Sequence, residues 1–227
     1  MTARIVFDLD GTLIDSAPDI QNIANAALSS VGAEPITLAE THEFVGEGIT
    51  VFVQKMRAAR GLAIDLQEPL LADLVARYDS AVTLTVTYPG VLDALKALSR
   101  SHRLGICTNK LHRPCMSVLR HLSLDTYFET IWGGDNPLGR KPDPAPLLAA
   151  FKDLGDGPCL FVGDSEVDAE TAQRAEVPFI LYTPGYHKGP IDQITKAASF
   201  DDFAALPDLV GTLLSQQDPA AAAQGGA

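Results

Sequence analysis

Ile5-Val6-Phe7 is a short apolar, β-favouring run that ends in acidic residues, Asp8 and Asp10, and then Gly11. Such a run, closed by turn residues, predicts a buried strand that delivers side chains at its carboxyl end. The pattern recurs at Arg103–Thr108, Thr130–Trp132, Cys159–Val162 and Pro178–Leu181, with helix-length segments at 90–100, 111–121, 143–154 and 165–175. Strands alternating with helices predict a parallel sheet covered by helices, a Rossmann-like α/β core.

Between about Ser16 and Val86 the pattern changes, because helical stretches follow one another with no convincing strand. Ser16-Ala-Pro18 can start the first, with proline near the initial turn, and Gly32 can stop it after Val31. Further helical runs cover Val51–Arg60 and Gln67–Ala81, and Tyr88-Pro89-Gly90 turns the chain back to the alternating part. The expected organisation is a discontinuous α/β core over 1–15 and 87–215, with an all-helical insertion over 16–86. Residues 216–227 are too poor in large apolar groups to pack and are expected to be disordered.

Charge narrows the partners. Lys and Arg number 17 against 29 Asp and Glu, a formal charge of -12, which repels the phosphate backbone of nucleic acids and the anionic face of a membrane. No apolar run reaches the length of a bilayer span, so a cytoplasmic protein without a signal peptide is expected, a monomer or a homodimer. Cys107, Cys115 and Cys159 are odd in number and lack Cys-x-x-Cys spacing, so reduced thiols are expected.

In open α/β sheets, ligands bind beyond the carboxyl ends of the strands. Those loops hold Asp8 and Asp10, Thr108 and Asn109, Arg140-Lys141-Pro142-Asp143-Pro144, and Gly163-Asp164 leading to Asp168. If the strands are neighbours, several carboxylates meet one lysine and one hydroxyl, and carboxylates so crowded need a cation. Oxygen ligands without Cys or His favour Mg2+ over zinc. An aspartate can then attack phosphorus covalently, a second aspartate two residues on can move the proton, and fixed positive groups can steady the phosphoryl oxygens. Asp8 suits the first task and Asp10 the second. Lys141, Thr108 and backbone N–H groups around Leu9 and Gly11 suit the third. Asp143 is a good N-cap and Pro144 suits the first helical position, which would hold Lys141 just before a helix. Asp164 and Asp168 can share one helix face if the helix begins near Asp164.

Taken in order, Asp8-x-Asp10-Gly-Thr, Thr108-Asn109, Lys141-Pro142 and Gly163-Asp164-Ser165-x-x-Asp168 resemble the four motifs of the haloacid dehalogenase-like hydrolase superfamily. Within it, Asp8-Leu-Asp-Gly-Thr-Leu-Ile-Asp-Ser16, Thr108-Asn-Lys110 and Gly133-Gly-Asp135 before Arg140-Lys-Pro-Asp-Pro-Ala-Pro-Leu147 are similar to phosphoglycolate phosphatases. The resemblance spans residues 4 to 186. It implies hydrolysis of a small phosphorylated metabolite, 2-phosphoglycolate to glycolate, through a phospho-aspartate on Asp8. It also implies Asp10 as acid and base, Thr108 and Lys141 as the phosphoryl-binding pair, and magnesium held by Asp8, the backbone carbonyl of Asp10 and Asp164. Asp168 would stand behind these or act through water. The helical insertion would be the family's cap, whose closure excludes water.

Three rival readings stay open: a metal-free dehalogenase, which would not need Asp10, a phosphosugar mutase, and a non-catalytic binding protein on the same scaffold. So do other small phosphates, sugar phosphates and pyrophosphate among them. Gly46-Glu-Gly48 reads equally as a substrate-contacting loop, in which Gly48 approaches an anion, and as a plain helix connection. His112 and Arg113, beside Lys110, can greet an acidic substrate but read better as a solvated helix face, and Gly185-Tyr186-His187-Lys188 reads as a surface loop that can reach the pocket rim. Any of Lys55, Arg57, Arg60 and Arg77 can meet a substrate carboxylate.

Overall fold

A computed structural model describes residues 2–217 of the chain. In chain order its elements are β1 (Arg4–Phe7), β2 (Ile14–Asp15), α1 (Ala17–Ser30), α2 (Leu38–Phe44), α3 (Ile49–Ala59), α4 (Gln67–Tyr78), β3 (Val86–Thr87), α5 (Val91–Leu98) and β4 (Arg103–Cys107). They continue as α6 (His112–His121), β5 (Thr130–Trp132), α7 (Ala145–Asp153), β6 (Cys159–Gly163), α8 (Glu166–Arg174), β7 (Phe179–Tyr182), β8 (Ala198–Phe200) and α9 (Leu206–Gln217). Residues 218–227 of the expected tail lie outside the described residues.

Six strands form one parallel sheet in the order β5-β4-β1-β6-β7-β8. The first strand is therefore central. The chain builds outward through β4 and β5, then crosses back over β1 to β6, and this reversal opens a crevice at the carboxyl end of β1. Phe7 pairs in register with Ile106 on one side and Val162 on the other. Asp8, Thr108 and Asp164 consequently leave three adjacent strands at nearly the same level.

Burial explains why the sequence accepts this arrangement. Ile5 and Phe7 point to one face, where α5, α6 and α9 cover them, while Val6 points to the other, under α7 and α8. All three are fully buried, at roughly 1.5–3 kcal/mol each. Cys107 and Cys115 are buried as free thiols.

Helices α1 to α4 form a separate apolar cluster around Ala24, Leu28, Val53, Met56 and Leu74. An all-helical unit is thus inserted between β2 and β3. Those two short strands pair antiparallel, Ile14 with Thr87 and Asp15 with Val86, so the outgoing and returning chain run side by side. Neither β2, β3 nor β8 stands out in the sequence, because pairs of two or three residues carry no periodicity. Helix α2 is an addition too, and its signal was available: Thr37 and Glu40 form a reciprocal capping box.

Two local expectations shift. Helix α7 begins at Ala145 with Pro144 as its N-cap, so Asp143 is not the N-cap but lies one residue earlier, where its Oδ1 accepts from the Ala145 N–H at 2.9 Å. Helix α8 begins at Glu166 with Ser165 as N-cap, so Asp164 lies outside the helix and shares no helical face with Asp168. The two carboxylates are brought together by the capping turn instead.

Candidate active site

Asp8 follows β1 directly, and its backbone N–H donates to Val162 O at 2.9 Å, which locks it to the neighbouring strand. Its side chain is buried, with Oδ1 2.7 Å from Lys141 Nζ. Lys141 also donates to Asp168 Oδ1 at 2.6 Å, so one ammonium stands between two carboxylates. The second oxygen of Asp168 accepts from Asp164 N, Ser165 N and Ser165 Oγ at 3.2, 3.1 and 2.7 Å. Asp168 is therefore fully engaged in holding Lys141 and the β6–α8 turn.

Asp164 is held from two directions. Thr12 Oγ1 donates to Oδ1 and the Tyr186 N–H to Oδ2, each at 2.6 Å. Asp8, Asp164 and Asp168 each offer an oxygen within 4.8 Å of the others, all buried. Burial, and then the like charges of Asp168 and Asp8, push Asp164 well above its ordinary value. Burial likewise pushes Asp8 up to about 7, although Lys141 opposes the rise. Burial acts to lower Lys141, but Asp168 and Asp8 outweigh it and hold the lysine above its ordinary value.

A divalent cation fits this cluster. Asp8 Oδ1 is buried with no well-aligned hydrogen-bond donor, since the Lys141 contact is close but badly angled. The donor set is all oxygen, which suits a hard cation. Crowded carboxylates that resist ionising also become stable anions when one binds.

Asp10 accepts from Ser16 Oγ at 2.5 Å and from Lys110 Nζ at 3.0 Å. Thr108 Oγ1 accepts from the Lys110 N–H at 3.2 Å. Asn109 donates from Nδ2 to Gly46 O and Lys141 O, at 2.9 and 3.0 Å, and so ties the helical insertion to the core. Gly11 is a different matter. Its N–H donates to Ile14 O at 2.9 Å and is not available to a phosphoryl group. What Gly11 provides is space, because a Cβ there would lie 2.3 Å from Asp164 Oδ2, and its φ of +87° suits glycine. Leu9 is buried, and its carbonyl accepts from Leu13 N at 2.9 Å to close the turn after β1.

Asp8, Asp10, Thr108, Asn109 and Lys110 form the floor of a partly open chamber of about 40 Å³. Its roof comes from the insertion: Ile20, Val45, Gly46, Gly48, Ile49, Phe52, Leu74 and Tyr78. A second hollow shares Asp8, Asp10, Val45 and Gly46 and continues to Asp164, Tyr186 and Lys188.

Several participants were not legible as such. Lys110 is buried, paired with Asp10 and donating to Tyr78 Oη at 3.2 Å. Tyr186 is buried too, its Oη donating to Asp15 Oδ1 at 2.6 Å. The basic residues of the insertion turn elsewhere. Lys55 pairs with Glu47 at 2.5 Å, Arg60 with Glu40 at 2.7 Å and Arg77 with Asp73 at 2.9 Å, while Arg57 donates to Leu62 O at 2.6 Å. None of the four lines the chamber among the described residues.

Comparison with known proteins agrees with this geometry. The family described as haloacid dehalogenase-like hydrolase matches residues 5–182. The chain is similar to phosphoglycolate phosphatases of Rhodobacter capsulatus, 41% identical over 92% of this chain and 97% of the relative, and of Cereibacter sphaeroides strain ATCC 17029, 43% identical over 93% and 99%. It also superposes on the crystal structure of a predicted phosphoglycolate phosphatase from Haemophilus somnus with a TM-score of 0.85. That pair is 30% identical, over 92% of this chain and 98% of the other.

Proposed function

Since the chain belongs to the haloacid dehalogenase-like hydrolases, we propose that it is a magnesium-dependent phosphatase whose substrate is 2-phosphoglycolate. The observation that carries this reading is the juxtaposition of Asp8, Lys141 and the Asp164–Asp168 turn beneath a roofed chamber, joined to the names of the relatives. The reading includes a catalytic core over 1–15 and 87–215, a cap over 16–86, a cytoplasmic location and a monomeric or homodimeric state.

In this reading the Asp8 carboxylate attacks phosphorus, and the bridging oxygen departs with a proton from Asp10 as glycolate forms. Asp10 then takes a proton from water as that water attacks the phosphoryl group on Asp8, releasing phosphate. Lys141 and Thr108 face the charge that develops on the phosphoryl oxygens. Asp8, Asp164 and the carbonyl of Asp10 would hold Mg2+, which supplies positive charge to the crowded carboxylates and to the phosphoryl group. Lys141 stays protonated and acts by charge alone.

In this reading the apolar roof of Val45, Ile49, Phe52 and Leu74 limits water to the molecule that hydrolyses the acyl phosphate and favours a small leaving group. The test is a steady-state comparison across phosphate esters, with and without magnesium. The expected result is chelator-sensitive turnover with 2-phosphoglycolate among the best substrates by kcat/KM. A sugar phosphate or pyrophosphate that clearly outperforms it would overturn the substrate assignment, and phosphoryl transfer to a sugar rather than water would make the chain a mutase.

A further inference from the structure

Lys110 has no task in the reaction just described, yet it is among the most enclosed cations of the fold. It leaves the chain two residues after Thr108 and reaches across to Asp10, with its ammonium 4.4 Å from the centre of the Tyr78 ring and bonded to the Tyr78 hydroxyl. Tyr78 closes helix α4 of the insertion, so the contact bridges the floor and the roof of the chamber.

A doubly functional anion needs a second positive partner here. In the proposed reading phosphate charge is met by Lys141 and by the cation that Asp8 and Asp164 would hold, while the wall above carries Ile20, Val45, Ile49, Phe52 and Leu74 beside Gly46 and Gly48. A carboxylate pressed against such a wall loses its water and is strongly destabilised unless a cation receives it. Among the described residues that line the chamber, Lys110 is the one basic side chain.

Building on the proposed function, we propose that Lys110, with the Tyr78 hydroxyl beside it, is the group that recognises the substrate's carboxylate and so selects short phosphorylated 2-hydroxy acids over neutral phosphate esters. The spacing follows from the chemistry. Asp10 must reach the bridging oxygen, and the carboxylate of such an acid is attached only one carbon beyond it. The Lys110 ammonium lies 3.0 Å from Asp10 Oδ1, within reach of that carboxylate. Lys110 Nζ lies 3.0 and 3.3 Å from the two Asp10 oxygens and 3.2 Å from Tyr78 Oη; with one N–H shared between the Asp10 oxygens and one given to Tyr78, the third of its three donors can turn to a ligand carboxylate.

The experiment compares kcat/KM for 2-phosphoglycolate and for ethyl phosphate, which lacks the carboxylate, in the wild type, in Lys110→Met and in Tyr78→Phe. The wild type is expected to prefer 2-phosphoglycolate. In Lys110→Met that preference should fall on the order of 100-fold, mostly through KM, with far less change for ethyl phosphate. Tyr78→Phe keeps the ring and removes one hydroxyl, so it guards against a folding failure at Lys110; its preference should fall several-fold. Equal losses on both esters would overturn the inference and make Lys110 a positioning residue for Asp10. An unchanged preference would also overturn it, placing carboxylate recognition at the backbone of Gly46–Gly48. A wild type with no preference for 2-phosphoglycolate would instead remove the functional reading on which the inference rests.

Discussion

Lys141 donates to Asp168 at 2.6 Å while the same ammonium stands 2.7 Å from Asp8. Asp168 therefore fixes the lysine that stands against Asp8, its own oxygens being taken up by Lys141 and by the N–H groups of Asp164 and Ser165. Replacing Asp168 by alanine leaves a buried cation with one partner fewer and also removes the acceptor of the Asp164 and Ser165 N–H groups. Loss of one member of a buried pair costs roughly 3–5 kcal/mol. Urea unfolding of Asp168→Ala is expected to show a deficit of at least about 3 kcal/mol, with kcat reduced at least tenfold in the protein that remains folded. A stability within about 0.5 kcal/mol of the wild type would contradict this role.

Much of this site is legible from sequence because its parts are local. A strand that runs straight into Asp-x-Asp-Gly-Thr, or a lysine before Pro-Asp-Pro, announces itself within a few residues. The alternation of strands and helices then brings the ends of β1, β4 and β6 together. Lys110 is the counterexample: on the sequence it is one polar residue before an amphipathic helix, and its partner Asp10 lies 100 positions away. Tyr186 is hidden in the same manner, since its contacts to Asp164 and Asp15 span 22 and 171 positions. Arg57, Arg60 and Arg77 err in the opposite sense, because a charge pattern cannot say that each has a neighbour to occupy it.

Metal binding should depend on pH in a defined direction. Without the cation, Asp8 is raised from 3.8 to about 7 and Asp164 is raised as well, both first by burial. The folded state then binds more protons than the unfolded chain, so this contribution to stability is complete below about 3.8 and is lost as pH rises toward 7. A cation that displaces those protons binds more tightly as pH rises. Calorimetric titration with magnesium should give a lower Kd at pH 8 than at pH 6, with net proton release, and the magnesium-induced gain in Tm should be larger at pH 8. Equal affinity at both values would show that these carboxylates are not the ligands.

Gly11 tests the close packing of the turn. Alanine there must adopt a φ of +87° and place its Cβ 2.3 Å from Asp164 Oδ2 and 2.8 Å from the Tyr186 ring. Strain and displacement together should cost about 2 kcal/mol or more. Because the atom that must move is a proposed metal ligand, magnesium affinity should weaken at least tenfold. Chemical unfolding and a magnesium titration of Gly11→Ala measure both. Retained stability and affinity would mean that the turn yields more easily than its geometry indicates.

The central claim is that Asp8 itself becomes phosphorylated. It is tested most directly by mixing enzyme with 2-phosphoglycolate and magnesium, quenching in acid within the first turnover, and locating the phosphoryl group by peptide mass spectrometry. The account predicts an acid-stable, hydroxylamine-labile acyl phosphate on the peptide that carries Asp8. It also predicts that Asp8→Asn folds normally, forms no such adduct and releases no phosphate. Phosphate release by Asp8→Asn at the wild-type rate, or an adduct at a different residue, would contradict it.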